Sequence, residues 1–151
     1  MQVSELLQRN VVTCTDRDTL ERAAQLMWEH DVGCLPVLGD DGRVVGMTTD
    51  RDVCMAAFLQ GCPLRSIAVS SVMAKELATC RERDDVREVE QVMKHRQIRR
   101  LPVVGDAGQL IGMISINDIA RAAHAGKLPS SDLASMLASI SHPRLTHIRA
   151  A

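Results

Sequence analysis

The stretch GCLPVLGDDGRVVGMTTDRDV, residues 33–53, occurs again in recognisable form as RRLPVVGDAGQLIGMISINDI, residues 99–119. The second copy follows the first at an offset of 66 residues. At that offset the alignment runs without a gap from residue 3 to residue 53, and 17 of these 51 positions are identical. A match of this length indicates a duplicated structural unit.

Both copies predict the same order of secondary structure. A short helical turn leads into a brief strand that ends at residues 13–14 or 79–80, and an amphipathic helix follows. In the first copy Asp18 and Glu21 predict a capping box at the start of that helix. The sequences CLPVL and RVVGMT then predict two strands joined by the turn GDDG, and a second helix closes the unit.

The repeat predicts a mixed α/β fold made of two β-α-β-β-α units. The small sheet of one unit buries only one face, so two units packed about a pseudo-twofold axis would cover each other. We expect residues 1–62 to form the first repeat, residues 63–129 the second, and residues 130–151 a C-terminal helix and tail. Two related clefts are expected where the units meet.

The composition argues against several classes of function. The formal net charge of −1 and the pI of about 6.5 give no general attraction to nucleic acid. The longest apolar run, residues 53–59, is far shorter than the roughly 18 residues that a membrane span needs. The charged N-terminus lacks an export signal, so we expect a cytoplasmic protein.

The reactive side chains show no catalytic or metal-binding spacing. The five cysteines include no C-x-x-C pair, and the histidines have no ligand spacing, so neither a disulfide framework nor a metal site is expected. A zinc site formed by Cys54, Cys62 and the tail histidines is a disfavoured alternative. The basic run KHRQIRR, residues 94–100, lacks an aromatic platform for nucleic acid. Nothing predicts an enzyme.

In each copy a strand gives way to a helix at a hydroxyl residue followed three positions later by Asp. These pairs are Thr49 with Asp52 and Ser115 with Asp118. The pattern is a common helix start and needs no ligand. It is also suited to a sugar phosphate, because the helix N-terminus and the hydroxyl favour a phosphate while the carboxylate can accept two ribose hydroxyls.

The sequences LPVLGDDGRVVGMTTDRD and LPVVGDAGQLIGMISIND resemble the signature of the CBS (cystathionine β-synthase) domain family. The resemblance covers roughly residues 3–125 and implies a tandem CBS pair, or Bateman module. Such a module senses adenosyl ligands such as AMP, ADP, ATP or S-adenosylmethionine. The resemblance also implies that adenine lies between the first strand and the residues before LPV of one repeat, facing the hydroxyl-x-x-Asp motif of the other.

Carried over by position, the resemblance gives two unequal clefts. The first would be lined by Thr13, Val32, Gly33, Ser115 and Asp118, with Arg99 and Arg100 at its phosphate end. The second would be lined by Thr79, Ile98, Arg99, Thr49 and Asp52. Because arginine pairs well with phosphate, the first cleft is expected to favour phosphorylated ligands. The second, with only Arg51 or Lys75 nearby, would hold a less anionic ligand or none.

The resemblance also implies partners. CBS pairs commonly dimerise through their helices, so we expect a homodimer. Trp28 continues the apolar stripe of its helix and is expected in the core, and Trp28 or Phe58 at the dimer contact is the secondary alternative. No catalytic or transporter domain is recognisable, so the regulated partner, whose identity is unknown, would be a separate chain. The alternative function is a ligand-free module that acts through dimerisation alone, and a metal- or redox-linked stress protein ranks third.

Overall fold

Each repeat folds into an α/β unit with a strand hairpin and two helices. The computed structural model describes residues 1–143, and only the backbone of residues 130–132. The strands in this part are β1 Cys14–Thr15, β2 Cys34–Leu38, β3 Val44–Thr49, β4 Arg100–Val104 and β5 Leu110–Ser115. The α-helices are α1 Leu20–Glu29, α2 Asp50–Gln60, α3 Val86–Arg96, α4 Ile116–His124 and α5 Ser130–Ser141. Short 3-10 turns occupy Val3–Glu5, Leu64–Ser66 and Val69–Ser71.

The two sheets share the same hairpin, but the first has three strands and the second has two. Strand β1 runs parallel to β2, which pairs antiparallel with β3, and the second sheet pairs β4 with β5 in the same register. A single parallel bridge from Cys80 to Val103 stands where the second unit would have its own short first strand. Gly42 and Gly108 have φ of 74° and 83° in the hairpin turns, a conformation that favours glycine. The predicted mixed α/β repeat is confirmed.

The predicted capping box at the start of α1 is wrong. Thr19 is the N-cap residue, and its hydroxyl accepts from the backbone N–H of Arg22 at 3.3 Å. Asp18 instead closes the preceding turn, where its carboxylate accepts from the N–H of Thr15 at 2.8 Å. The helix therefore begins one residue later than the pair of Asp18 and Glu21 indicates, because both polar residues can satisfy a backbone donor and Thr19 lies nearer the first turn.

The two repeats exchange their first residues. Val3 is fully buried in the core of the second unit, and Val69 is fully buried in that of the first. The backbone N–H of Val3 donates to the carbonyl of Asp84 at 3.0 Å, and that of Val69 donates to Asp18 at 2.8 Å. A division at residue 62 therefore separates the sequence repeats, whereas each folded core draws on both of them.

Helix α5 covers the helix face of the second unit. Met136 and Ile140 are buried in the same core as α3 and α4. The side-chain amide of Gln97 donates to the carbonyls of Ser139 at 3.3 Å and His142 at 3.0 Å. The predicted C-terminal helix is thus present, and residues 144–151 of the predicted tail lie outside the described part. No helix within residues 1–143 is long and apolar enough to cross a membrane.

The exchange of first residues predicts which of the two units a core substitution will destabilise. Val3→Ala should lower the free energy of unfolding by roughly 2 kcal/mol, because buried methyl groups are lost. Native-state hydrogen exchange should show the amides of β4 and β5 losing protection before those of β2 and β3.

The matched variant Val69→Ala should give the reverse order. If both variants weaken protection in their own sequence repeat, residues 1–8 and 64–74 are not exchanged in solution.

Candidate functional site

Both hydroxyl-x-x-Asp motifs form complete capping boxes at helix N-termini. At α2, the carboxylate Oδ2 of Asp52 accepts from the backbone N–H and the hydroxyl of Thr49, both at 2.8 Å. The N–H of Asp52 donates back to the Thr49 hydroxyl at 3.1 Å. Ser115 and Asp118 repeat the arrangement at α4, with the Ser115 N–H at 2.8 Å from Oδ2 of Asp118. Both motifs therefore cap a helix N-terminus, as the sequence pattern alone predicts.

Asp118 has further partners that the sequence analysis missed. Its Oδ1 accepts from the side-chain amide of Gln8 at 3.1 Å and forms an ion pair with Arg121. Its side chain is only 4% exposed. The i,i+3 spacing of Asp118 and Arg121 is a local signal for the ion pair. Gln8 is 110 residues away, so its contact depends on the exchanged N-terminal segment and has no local signal.

The two units meet at a contact between equivalent residues. The guanidinium of Arg100 donates to the sulfur of Cys34 at 3.1 Å, and these residues are separated by the 66-residue offset of the repeat. Side chains at equivalent positions can touch only near the axis that relates the two units. Of the two arginines predicted at the phosphate end, Arg100 is therefore held, half-buried, at the pseudo-twofold axis, and Arg99 is exposed.

The buried thiols are held in their neutral form. Burial raises the pKa of Cys34, an effect that the nearby Arg100 charge partly offsets. Burial, assisted by the charges of Asp18 and Asp84, raises the pKa of Cys14 and of Cys80 to about 12. Since the thiolate is the reactive form, these three cysteines are poor nucleophiles at neutral pH.

The residues that precede β2 and β4 lie beside the helix starts of their own units. The carbonyl of Gly33 accepts from the N–H of Asp50 at 3.2 Å, and that of Arg99 accepts from Ile116 at 2.9 Å. The predicted neighbours Val32 and Ile98, directly before them, are half-buried. The structure thus brings these predicted residues to the same edge as the capping boxes.

The two predicted threonines lie on the segments that cross between the units. Thr13, directly before β1, is half-buried, and Thr79, directly before the Cys80 bridge, is exposed. Within residues 1–143 neither makes a side-chain hydrogen bond to another predicted site residue. Thr13 follows Gln8 by five positions along the crossing segment, and Gln8 reaches Asp118. The cleft grouping of Thr13 with Ser115 and Asp118 stays a prediction.

A groove on the helix face shares two of these residues. It has a volume of about 350 Å³ and is lined by Val32 and Gly33 together with Trp28 and Val53 of α1 and α2. Val32 and Gly33 therefore lie both in this groove and beside the N-terminus of α2.

The described residues offer no metal centre. Among residues 1–143 no three His, Cys, Asp or Glu side chains are grouped closely enough to hold a metal ion. In the disfavoured zinc alternative, Cys54 is exposed and Cys62 is half-buried. His147, which that alternative also needs, lies outside the described residues.

A family model for the CBS domain matches residues 3–58 and again residues 69–125. The chain belongs to the CBS domain family. The two matches follow the sequence repeat, and they confirm the resemblance that the LPV segments indicate. The chain is also 33% identical over 143 residues to the CBS domain-containing protein YhcV of Bacillus subtilis, covering 95% of this chain and 97% of that protein.

Solved structures of other proteins share the fold. The CBS domain pair of protein MJ0100, in complex with 5-methylthioadenosine and S-adenosyl-L-methionine, is 25% identical with a TM-score of 0.74, over 85% of this chain and 98% of that one. Hypoxic Response Protein I, with two coordinated zinc ions, is 31% identical with a TM-score of 0.73, over 80% of this chain and 98% of that one. The predicted CBS pair architecture is confirmed.

The different surroundings of the two carboxylates predict unequal effects on stability. Asp52→Ala should lower the free energy of unfolding by about 1 kcal/mol, the usual cost of a lost cap interaction. Asp118→Ala should cost roughly 2–3 kcal/mol, since Gln8 and Arg121 also lose their acceptor. Urea denaturation followed by circular dichroism measures both values. Equal losses would show that the contacts to Gln8 and Arg121 contribute nothing.

Proposed function

We propose that this CBS pair binds an adenosine-containing ligand, AMP, ADP, ATP or S-adenosylmethionine, in the clefts between its repeats. The observation that carries the proposal is the presence of two equivalent helix N-termini, each with a hydroxyl and a carboxylate in fixed geometry. The ligand-bound protein then acts on a separate protein partner. Its place of action in this proposal is the cytoplasm, where adenosyl metabolites are abundant.

The chemistry of each helix start suits the two polar parts of such a ligand. Unpaired N–H groups at a helix N-terminus attract phosphate, and a carboxylate can accept the pair of ribose hydroxyls. Adenine would be held by aliphatic residues such as Val32 and Ile98, because the two aromatic residues, Trp28 and Phe58, are exposed on the helix face. That MJ0100 accommodates two adenosyl compounds in the same fold supports this ligand class.

Shared clefts explain how binding could change the protein. A ligand that contacts both repeats favours whichever arrangement of the units closes around it. The exchanged segments at residues 1–8 and 64–74 tie each unit to the other's core, so a shift of one unit is transmitted through those segments. The regulated protein would distinguish the two arrangements.

Calorimetric titration of the purified protein with AMP, ADP, ATP and S-adenosylmethionine tests the proposal. We expect saturable micromolar binding of one of them, lost in the double variant Asp52→Asn, Asp118→Asn because both ribose acceptors are changed. Asp50→Asn, which alters an exposed acid at the same helix start but outside the box, should bind normally.

Circular dichroism must show that the double variant folds. Absence of binding by the wild-type protein, after mass spectrometry has excluded a co-purified ligand, would contradict the adenosyl sensor.

A specific surface favours dimerisation as a second function. The expectation that Trp28 lies in the core is wrong, because its side chain is exposed. The face of α1 and α2 exposes four large apolar side chains: Trp28 88%, Phe58 78%, Leu59 72% and Met55 41%. An apolar cluster of this kind on a helix pair marks an interaction site, and aromatic residues are enriched at such sites. We assign this surface, called here the α1/α2 face, to a second copy of the chain.

The duplication shows that the apolar character belongs to one unit only. At the 66-residue offset, Trp28, Met55, Phe58 and Leu59 correspond to Lys94, Arg121, His124 and Ala125. The second helix face is instead covered by α5 of the same chain. A two-fold pairing of α1/α2 faces would cover the apolar side chains of both copies.

Sedimentation analysis should give twice the chain mass of 16.5 kDa for the wild-type protein. Trp28→Glu should give the single-chain mass, because a charge would be buried against the apolar partner face. Lys94→Glu introduces the same glutamate at the equivalent position of the second unit, and this variant should remain dimeric. A dimer that survives Trp28→Glu would place the interface elsewhere, and a monomeric wild type would leave the face to a different protein.

A further inference from the structure

The two equivalent carboxylates differ in how many acceptor positions they have left. A carboxylate offers about four lone-pair positions. Asp118 receives four donors: the N–H and hydroxyl of Ser115, the amide of Gln8 and the guanidinium of Arg121. It is buried and saturated by its own chain.

Asp52 is only half occupied. Its Oδ2 receives the N–H and hydroxyl of Thr49, whereas its Oδ1 has no hydrogen-bond donor among residues 1–143. Two lone-pair positions therefore remain, which is the number that a pair of ribose hydroxyls would use. Asp52 is half-buried rather than buried, so a ligand can reach it.

The difference comes from side chains on the same backbone. Gln8 and Met113 bridge through N–H to carbonyl bonds of 2.8 and 2.9 Å, and Ala74 bridges Met47 in the same way at 2.8 and 3.0 Å. Ala74 is the equivalent of Gln8 at the 66-residue offset, and it has no group that could reach Asp52.

The second donor is also missing from the first unit. Arg121 corresponds to Met55, which cannot donate a hydrogen bond to Asp52. The chain therefore contains its own internal comparison of a closed and an open site.

Building on the proposed function, the geometry points to one ready site and one closed site. Asp52 accepts the ribose hydroxyls in the resting protein. At Asp118 the amide of Gln8, with Arg121, takes the place that the ribose hydroxyls would need. The arginine-lined cleft, which the sequence analysis ranks first for phosphorylated ligands, is then closed by its own chain until Gln8 is displaced.

Titration calorimetry with AMP, ADP, ATP and S-adenosylmethionine tests this assignment through the number of sites. Wild-type protein should bind one ligand per chain, and Asp52→Asn should abolish that binding. Gln8→Ala, which installs the residue found at position 74, should add a second site, because it removes one donor and the other, Arg121, is 67% exposed and can turn away into solvent when a ligand binds. At Asp118 we expect affinity to rise roughly tenfold or more, the worth of a hydrogen bond to a charged group.

Two further variants keep the test decisive. Gln8→Ala combined with Asp52→Asn should bind one ligand, now at Asp118. The reciprocal variant Ala74→Gln should weaken the wild-type site by placing an amide beside Asp52. Both Gln8 and Ala74 are exposed, so neither substitution disturbs a core.

Failure of the open and closed site assignment and failure of the proposed function give different results. If the wild-type protein binds one ligand that Asp118→Asn abolishes and Asp52→Asn does not, the assignment of the open and closed sites is overturned while the sensor stands. Two wild-type sites of equal affinity, unaffected by Gln8→Ala, overturn it as well. If neither the wild-type protein nor any variant binds AMP, ADP, ATP or S-adenosylmethionine, the proposed function fails and the assignment fails with it.

Discussion

Val3 and Val69 are each buried in the unit built by the other repeat, and this exchange joins the two cores. Each valine is fully buried, and each fills the core of the unit built by the other repeat. A unit deprived of the exchanged segment would expose apolar side chains beside its sheet, so neither repeat is expected to be stable alone. The crossing segments also pass between the units, and this brings Gln8 to Asp118. Packing and site geometry therefore have a common origin.

The duplication gives both units the same backbone, and differences between equivalent side chains make their two carboxylate sites unequal. The strand registers Cys34 with Thr49 and Arg100 with Ser115 are equivalent, as are the capping boxes that follow. Because the backbone is the same, the side chains at two positions, Gln8 and Arg121 in one unit and Ala74 and Met55 in the other, decide whether a carboxylate remains free. Equivalent positions also bring Cys34 and Arg100 into contact at the axis. There the arginine charge faces a thiol that burial keeps neutral.

Sequence patterns predict the helices, strands and turns well because these elements depend on interactions between neighbouring residues. The 66-residue repeat, the hairpins and the helix starts at Thr49 and Ser115 depend on neighbours within a few residues. The capping box assigned to Asp18 failed for the same reason, since Thr19 offered a competing cap one residue away. The exchange of Val3 and the contact of Gln8 with Asp118 join residues far apart in the chain. No periodicity in a single sequence encodes that pairing.

The same asymmetry appears on the outer surface. In the second unit Asp118 is closed by Gln8 and Arg121, and the helix face is closed by α5. In the first unit the equivalents of both closures are absent from the described residues, so Asp52 and the apolar face both remain accessible. Val32 and Gly33 line the groove on that face and also lie beside the N-terminus of α2. In the predicted cleft grouping these two residues face Asp118, so a ligand that displaces Gln8 there would contact the surface proposed for a second copy. The open carboxylate and the exposed apolar face thus belong to the same unit, and both follow from side chains that the first unit lacks.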